Sequence, residues 1–371
     1  MKIVHLISSL QRGGAEVALA QLITQLKTHA EHYVIFFYDG PLRAEIEALG
    51  VPCHQISARG SSINPLFFFK LLRTIKRIEP DCLLTGLWLA NVLGRICGRT
   101  LNIPCIAVLH ALLEHEGSIR TWIDRIIPCQ ATAYVAVSNI VHDSFRKHHP
   151  LLLHKQCFII PHGIDYAHVI RASKQPISLP DGLATALANN QVIVGSVGRL
   201  VPDKNYALLL KSFSAVAEST TQIHLVIVGS GPEEAQLKRL ATQHEITDRM
   251  TWISGQPAYP YYQYFDYYVQ PSRYEAFGLA ILEAQCFALP VLATGKKQLH
   301  PIITHLHNGM VIEPDNSEAL TRAMLRYLQD PALRARDGKR GLETAREHFS
   351  IKKSALAYYD MCTKICKERE Q

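Results

Sequence analysis

The sequence predicts two doubly wound α/β domains, and three observations carry that prediction. The chain has 371 residues, more than one ordinary hydrophobic core accommodates. Short apolar runs bounded by polar turns alternate with longer segments of helical period, the pattern of a parallel sheet covered by helices. One stretch in the middle, Arg171–Asn190, contains Pro176, Pro180 and Gly182 and has the weakest periodicity, as a linker would.

In the first half, strands are expected at Ile3–Ser8, His32–Tyr38, Cys82–Thr85, Ile106–His110, Ala133–Val137 and Cys157–Ile160. An amphipathic helix over Ala15–Leu26 opens at the Gly13-Gly14 turn. In the second half, Gln191–Val197, His224–Val228, Thr251–Ser254, Tyr267–Gln270 and Val291–Ala293 read as buried strands. Helices are expected at Tyr206–Ala217 and Pro232–His244, and again over Ser350–Lys367. Two doubly wound halves bind ligands where the carboxyl ends of their strands meet.

Composition narrows the class. Apolar residues make up 48% and charged residues 19%, as in a globular domain. The Met1–Ile7 segment is followed by polar Gln11-Arg12 rather than a signal-peptide cleavage site, and no run approaches the ~20 apolar residues of a membrane span. Nine cysteines lack the paired spacing of a zinc site or a disulfide framework, so reduced thiols and a cytoplasmic location are expected. A formal charge of +7 identifies no nucleic-acid partner by itself.

The most informative stretch runs from Gln270 through Glu275, Phe277, Gly278, Leu279 and Glu283 to Ala284. A strand ends at Pro271, a loop carries Glu275, and a helix starts near Phe277 or Gly278. The unpaired N–H groups of that start, with the helix dipole, suit a diphosphate. Gly278 permits close backbone approach. Glu283 lies among Ala280, Ile281, Leu282 and Ala284, where a carboxylate must find hydrogen bonds; ribose hydroxyls would supply two. The same residues also suit a helix-terminal carboxylate and a buried, satisfied glutamate.

Glu275 and Glu283 around Phe-Gly-Leu resemble the E-x7-E signature of retaining GT-B glycosyltransferases, notably glycosyltransferase family 4. The likeness extends over nearly the whole chain. Gly13-Gly14-Ala15-Glu16 resembles the family's first glycine loop. Val137-Ser138-Asn139 and Ile160-Pro161-His162-Gly163-Ile164-Asp165 resemble two landmarks that close the first domain, with His162 in place of the commoner Asn. Gly198-Arg199-Leu200 with Lys204 resembles the phosphate-binding segment, and Val228-Gly229-Ser230-Gly231-Pro232 the second domain's strand-to-helix turn.

The resemblance implies a GT-B fold: residues 1–170 an acceptor-binding Rossmann-like domain, 171–350 the sugar-nucleotide domain, and 351–371 a helix crossing back to the first. It also assigns roles. Arg199 and Lys204 would bind and neutralise the donor diphosphate, although the same loop would suit a solvated turn. Glu275 would meet the donor sugar, Glu283 the ribose, and His110 the sugar pocket beside the acceptor. Gly14, Gly198, Phe277, Gly278 and Leu279 would line the donor site. The implied reaction is front-side displacement with retention, in which the leaving phosphate helps deprotonate the acceptor. No cofactor and no metal is expected, and no Asp-x-Asp motif occurs.

The donor expected is a nucleotide sugar, UDP-linked, and the acceptor a glycan or a lipid-linked glycan of bacterial polysaccharide, lipopolysaccharide or glycolipid synthesis. A sugar-nucleotide epimerase or phosphorylase of GT-B type and a noncatalytic nucleotide-binding module are the competing classes. An NAD-dependent enzyme is disfavoured because no G-x-G-x-x-G follows a strand. One departure falls after Thr294, where the family's Gly-Gly turn and Glu give way to Gly295-Lys296-Lys297-Gln298-Leu299-His300-Pro301. There Lys296, Lys297 or His300 could reach an anionic acceptor. Finally, Pro65–Arg77 reads as a helix without acidic residues, with Phe67, Leu71, Ile75 and Ile78 on one face and Lys70, Arg73 and Arg77 on another. It suits either a sheet-packed helix or docking on an anionic membrane surface, which would place the protein on the inner face of the cytoplasmic membrane.

Overall fold

In the computed structural model, residues 1–57, 65–112, 120, 131–149, 152, 154–295, 302–304 and 307–370 are described. They divide into two units, Met1–Gly163 with Ile351–Gln371, and Ile164–Ser350.

The first unit follows the apolar runs. Its elements are β1 (Lys2–Ser9), α1 (Gly14–Leu26), β2 (Glu31–Tyr38), α2 (Leu42–Glu47), β3 (Cys53–Gln55), α3 (Pro65–Ile78), β4 (Cys82–Gly86), α4 (Trp88–Leu101), β5 (Cys105–Leu109), β6 (Ala133–Ala136), α5 (Asn139–His148) and β7 (Gln156–Ile159). The strands form one sheet in the order β3-β2-β1-β4-β5-β6-β7, paired in parallel throughout. Alternate side chains of β1 serve opposite faces. Val4 and Leu6 join Leu71, Ile75 and Leu93 in one core, while Ile7 joins Ile23, Phe36 and Leu42 in another. The separate helix Ile351–Glu370 belongs to this unit, burying Ile351, Tyr358, Met361 and Ile365.

The second unit comprises α6 (Tyr166–Ser173), α7 (Asp181–Ala188), β8 (Val192–Val197), α8 (Tyr206–Ser219), β9 (Ile223–Val228), α9 (Glu234–Gln243), β10 (Met250–Ile253), α10 (Tyr259–Tyr262), β11 (Tyr267–Gln270), α11 (Leu279–Cys286), β12 (Val291–Thr294), β13 (Met310–Ile312), α12 (Ser317–Gln329) and α13 (Pro331–His348). Its parallel sheet runs β10-β9-β8-β11-β12-β13. The core is built from Leu209, Phe213, Leu225, Ile227, Tyr267, Leu292, Met324 and Tyr327.

These are the two doubly wound halves that the alternating pattern predicts. Two strands escaped it: β3 and β13 are three residues each, too short to display a period. The stretch Arg171–Asn190, read as a linker, holds the end of α6 and the whole of α7, whose Leu183 and Ala186 are buried. Two landmark motifs have a local physical meaning. Ser138 caps α5 by accepting from Val141 N, and Asp165 caps α6 by accepting from His168 N.

Candidate functional site

In the second unit the loops after β8, β9 and β11 lie together because neighbouring parallel strands end on the same side. The backbone of Gly198–Leu200 rests on the turn after β9: Gly198 N donates to Val228 O at 3.0 Å and Leu200 N to Ser230 O at 2.9 Å. Glycine is required there. A Cβ on Gly229 would stand 1.9 Å from Gly198 O, and one on Gly231 would stand 2.3 Å from Leu200 O. This close contact presents Arg199, whose side chain is exposed, from a rigid platform.

The next turn, Pro202–Lys204, is tied to the loop after β11. Arg273 N donates to Asp203 O at 3.0 Å, and the Tyr274 hydroxyl donates to Asp203 Oδ1 at 2.7 Å. As a result Lys204 Nζ reaches Glu275 Oε1 at 2.5 Å. Glu275 is held from below by a buried chain. Tyr268 donates to Gln270 Oε1 at 2.5 Å, Gln270 Nε2 to Ser272 Oγ at 2.8 Å, and Ser272 Oγ to Glu275 Oε1 at 2.8 Å. Tyr268 and Ser272 are fully buried and Gln270 nearly so, which leaves the carboxylate little freedom.

Beyond Glu275, Phe277 is buried edge-on against Phe349, so its side chain packs rather than lines an open surface. Gly278 takes φ +100° and begins α11 with no side-chain cap, leaving N–H groups of the first turn directed outward. Leu279 is half-buried. One and a half turns on, Glu283 accepts from the Tyr262 hydroxyl at 2.8 Å and from Tyr259 at 3.3 Å. Burial pushes its carboxyl up to about 7, against the pull of those two phenols.

The remaining expected residues belong to the first unit or lie outside the described residues. Gly14 is exposed at the start of α1, where Glu16 folds back to accept from Ser9 Oγ at 2.6 Å. His110 follows β5 in the first unit, half-buried beside a cavity of about 40 Å³ that Ala15, Gly86 and His162 also line. Lys70, Arg73 and Arg77 are exposed on α3. Lys297, with residues 296–301 of the altered loop, lies outside the described residues.

Sequence reasoning missed the partners that hold the two glutamates. Ser272 and Gln270 stood in the quoted motif without a role. Tyr259 and Tyr262 belong to an aromatic cluster, Tyr259-Pro260-Tyr261-Tyr262, whose density was the available signal. Exposed Leu66 and Phe69, 75% and 65% accessible, were also missed; they share the outer face of α3 with its cations.

What the second-unit site can do follows from its charges. Two cations, Arg199 and Lys204, and the open start of α11 offer an anion its counter-charge. Two carboxylates nearby can accept from hydroxyl groups.

The chain is similar to known proteins over most of its length. Residues 12–168 match the family model "Glycosyltransferase Family 4", and residues 184–344 match "Glycosyl transferases group 1". The lipopolysaccharide core biosynthesis mannosyltransferase LpcC of Rhizobium leguminosarum is 29% identical over 205 residues, 54% of this chain and 57% of that protein. The lipopolysaccharide core biosynthesis glycosyltransferase LpsD of Rhizobium meliloti is 32% identical over 171 residues, 46% of this chain and 48% of its own length. The chain thus spans about half the length of the first curated relatives it matches. Among solved structures, Anabaena Alr3699/HepE in complex with UDP and glucose superposes with a TM-score of 0.83 at 20% identity, over 98% of this chain and 100% of that one. WaaG, a glycosyltransferase involved in lipopolysaccharide biosynthesis, superposes at 0.74 and 15% identity, covering 97% and 99%. At such identities these two likenesses establish a shared GT-B fold.

Proposed function

The chain belongs to glycosyltransferase family 4, and on that premise we propose that it is a retaining transferase that moves a hexose or N-acetylhexosamine from a UDP-sugar to a glycan or lipid-linked acceptor. The observation that carries this reading is the Lys204–Glu275 pair beside the open start of α11, with Glu283 set apart in its tyrosine cradle. A diphosphate arriving at Arg199 and Lys204 competes for the lysine, and Glu275 is then released to accept from sugar hydroxyls. Ser272 keeps that carboxylate in place during the exchange. Glu283 takes the ribose.

As the glycosidic bond breaks, negative charge grows on the leaving phosphate, and the two fixed cations stabilise it without reorganisation. That phosphate takes the acceptor's proton, so the sugar leaves and the new bond forms on one face. Charge neutralisation by Arg199 and Lys204 makes a metal unnecessary. Complexes with UDP and with UDP-glucose in the Anabaena protein favour uridine as the base, and the lipopolysaccharide roles of the rhizobial relatives favour a glycan acceptor.

The test is a turnover screen over UDP-, GDP- and ADP-sugars with and without a chelator, followed by anomeric analysis of the product. Retention with a UDP-sugar and indifference to chelator are expected. Silence with all donors, together with unchanged donor binding in Glu275→Ala, would remove the catalytic assignment.

A second proposal concerns location. Among the described residues no helix is long and apolar enough to cross a membrane. Leu66 and Phe69 stand exposed among Lys70, Arg73, Lys76 and Arg77, an arrangement suited to the surface of an anionic leaflet. The protein would then work at the inner face of the cytoplasmic membrane.

A further inference from the structure

His162, which takes the place of a commoner asparagine, has a geometric consequence in the first unit. Strands β5 and β7 flank β6; His110 follows β5 directly, and the chain beyond β7 carries His162 across to lie beside it. Their rings are 5.3 Å apart and 11° from parallel, with His110 Nδ1 3.4 Å from His162 Nε2. The opposite edge of His110 looks toward Gly86 at the end of β4. A Cβ on Gly86 would stand 3.2 Å from His110 Nε2, so glycine keeps that nitrogen clear. Both rings and Gly86 border the same cavity of about 40 Å³. Its lining is mostly apolar, with Leu6, Ala18, Leu22 and Ile351 among the contributors, and the two imidazoles are among its few polar groups.

A neutral imidazole carries one proton, and the hydrogen bond at one nitrogen decides which nitrogen keeps it. Burial lowers the His110 pKa to about 4 and that of His162 to about 3, so both rings are neutral near pH 7. A hydrogen bond between His110 Nδ1 and His162 Nε2 can carry only one of the two protons, and the ring that owns it fixes what His110 presents to the cavity. A hydroxyl about to act as nucleophile needs a lone pair to hold its hydrogen; an N–H would instead occupy the oxygen's own lone pair.

We propose that His162 is a positioning residue that accepts the Nδ1–H of His110, leaving His110 Nε2 an unprotonated acceptor for the hydroxyl of the incoming sugar. The inference rests on the transferase reading for the identity of that hydroxyl. His110 orients the hydroxyl as it arrives and transfers no proton: as the new bond forms, the hydroxyl hydrogen turns from Nε2 to the leaving phosphate, which takes it, and His162 acts only through His110.

Long-range proton–nitrogen correlation spectra of the full chain with labelled histidine test this directly at pH 7.5, with His110 assigned by His110→Gln. A pyrrole-type Nδ1 and a pyridine-type Nε2 are expected; the reversed or an averaged pattern overturns the proposal. In His162→Gln the side-chain oxygen reaches the position of Nε2, so both the spectrum and kcat should stay within about threefold of the parent. His162→Leu should average the two nitrogen signals and lower kcat by about 10- to 100-fold with donor KM little changed. A leucine variant whose His110 spectrum matches the parent's also overturns it. Lack of turnover by the parent with the expected spectrum would sink the transferase reading while leaving the tautomer assigned.

Discussion

Tyr262 donates its phenolic hydrogen to Glu283 at 2.8 Å, from a position where the tyrosine itself is fully buried. The carboxylate so held is raised by burial to about 7, so near neutral pH it is only partly ionised. In the proposed role, ribose hydroxyls would donate to the ionised form. UDP affinity should therefore rise as pH climbs from 6 to 8, by about tenfold, when followed by titration calorimetry. Because the Tyr262 hydrogen bond lowers the carboxyl pKa, Tyr262→Phe should move that transition to higher pH. Identical affinity at pH 6 and pH 8 would contradict the ribose role.

The same shift bears on stability. A carboxyl whose folded pKa exceeds its unfolded value of 4.5 binds more protons when folded, so its contribution falls as pH rises from 4.5 through 7. Glu283→Gln should consequently melt higher than the parent at pH 8, by an amount corresponding to on the order of 1–3 kcal/mol, and show little gain at pH 4.5. Thermal shift at the two pH values separates this from a generic effect.

Histidines act in the opposite sense. His5, His110, His162 and His224 all have pKa values lowered by burial, and His5 Nε2 lies 2.9 Å from His32 Nδ1 in the sheet of the first unit. A depressed histidine takes up its proton more readily when unfolded, so folding stability is lost as pH falls below the unfolded value near 6.5. By pH 5, His110, His162 and His224 should each cost on the order of 2 kcal/mol. His224→Gln should blunt the acid loss of the second unit's melting transition, measured by calorimetry between pH 5 and pH 7.5.

The cations and the serine of the proposed donor site should separate in their effects. Lys204→Ala removes fixed charge and should lower kcat by about 100- to 1,000-fold. Ser272→Ala leaves the ion pair but frees the carboxylate and strips buried Gln270 of its acceptor. Roughly tenfold lower kcat/KM and about 1–3 kcal/mol lower stability are expected. Equal losses in both variants would argue against a positioning role for Ser272.

On α3, Leu66→Gln with Phe69→Gln should reduce co-sedimentation with phosphatidylglycerol vesicles even at high salt, because apolar contact is not screened. Replacing Lys70, Arg73 and Arg77 by Gln should abolish the low-salt component, at ~1 kcal/mol each. No difference between anionic and neutral vesicles for the parent would dismiss the membrane.

How much of this was legible beforehand differs from place to place. Strands such as β11 and helices such as α8 are visible because their apolar periods run for several residues, whereas three-residue β3 and β13 owe their existence to neighbours. Glu275 and Glu283 are visible because their spacing is local. Their partners are not: Lys204 is 71 residues from Glu275, and His162 is 52 from His110, separations that only sheet order closes. On α3 the period correctly separates Phe67, Leu71 and Ile75 from the cations, but it gave no warning that Leu66 and Phe69 would stand on the cationic side.

Helix Ile351–Glu370, part of the first unit, is encoded after the whole of the second. A ribosome therefore releases residues 1–163 with α1 uncovered where that helix will lie, and more than half the chain is still to be made before Ile351, Tyr358 and Met361 can bury themselves. The unit begun first is finished last. Its exposed apolar face is the segment of the nascent chain that a chaperone would have most reason to hold.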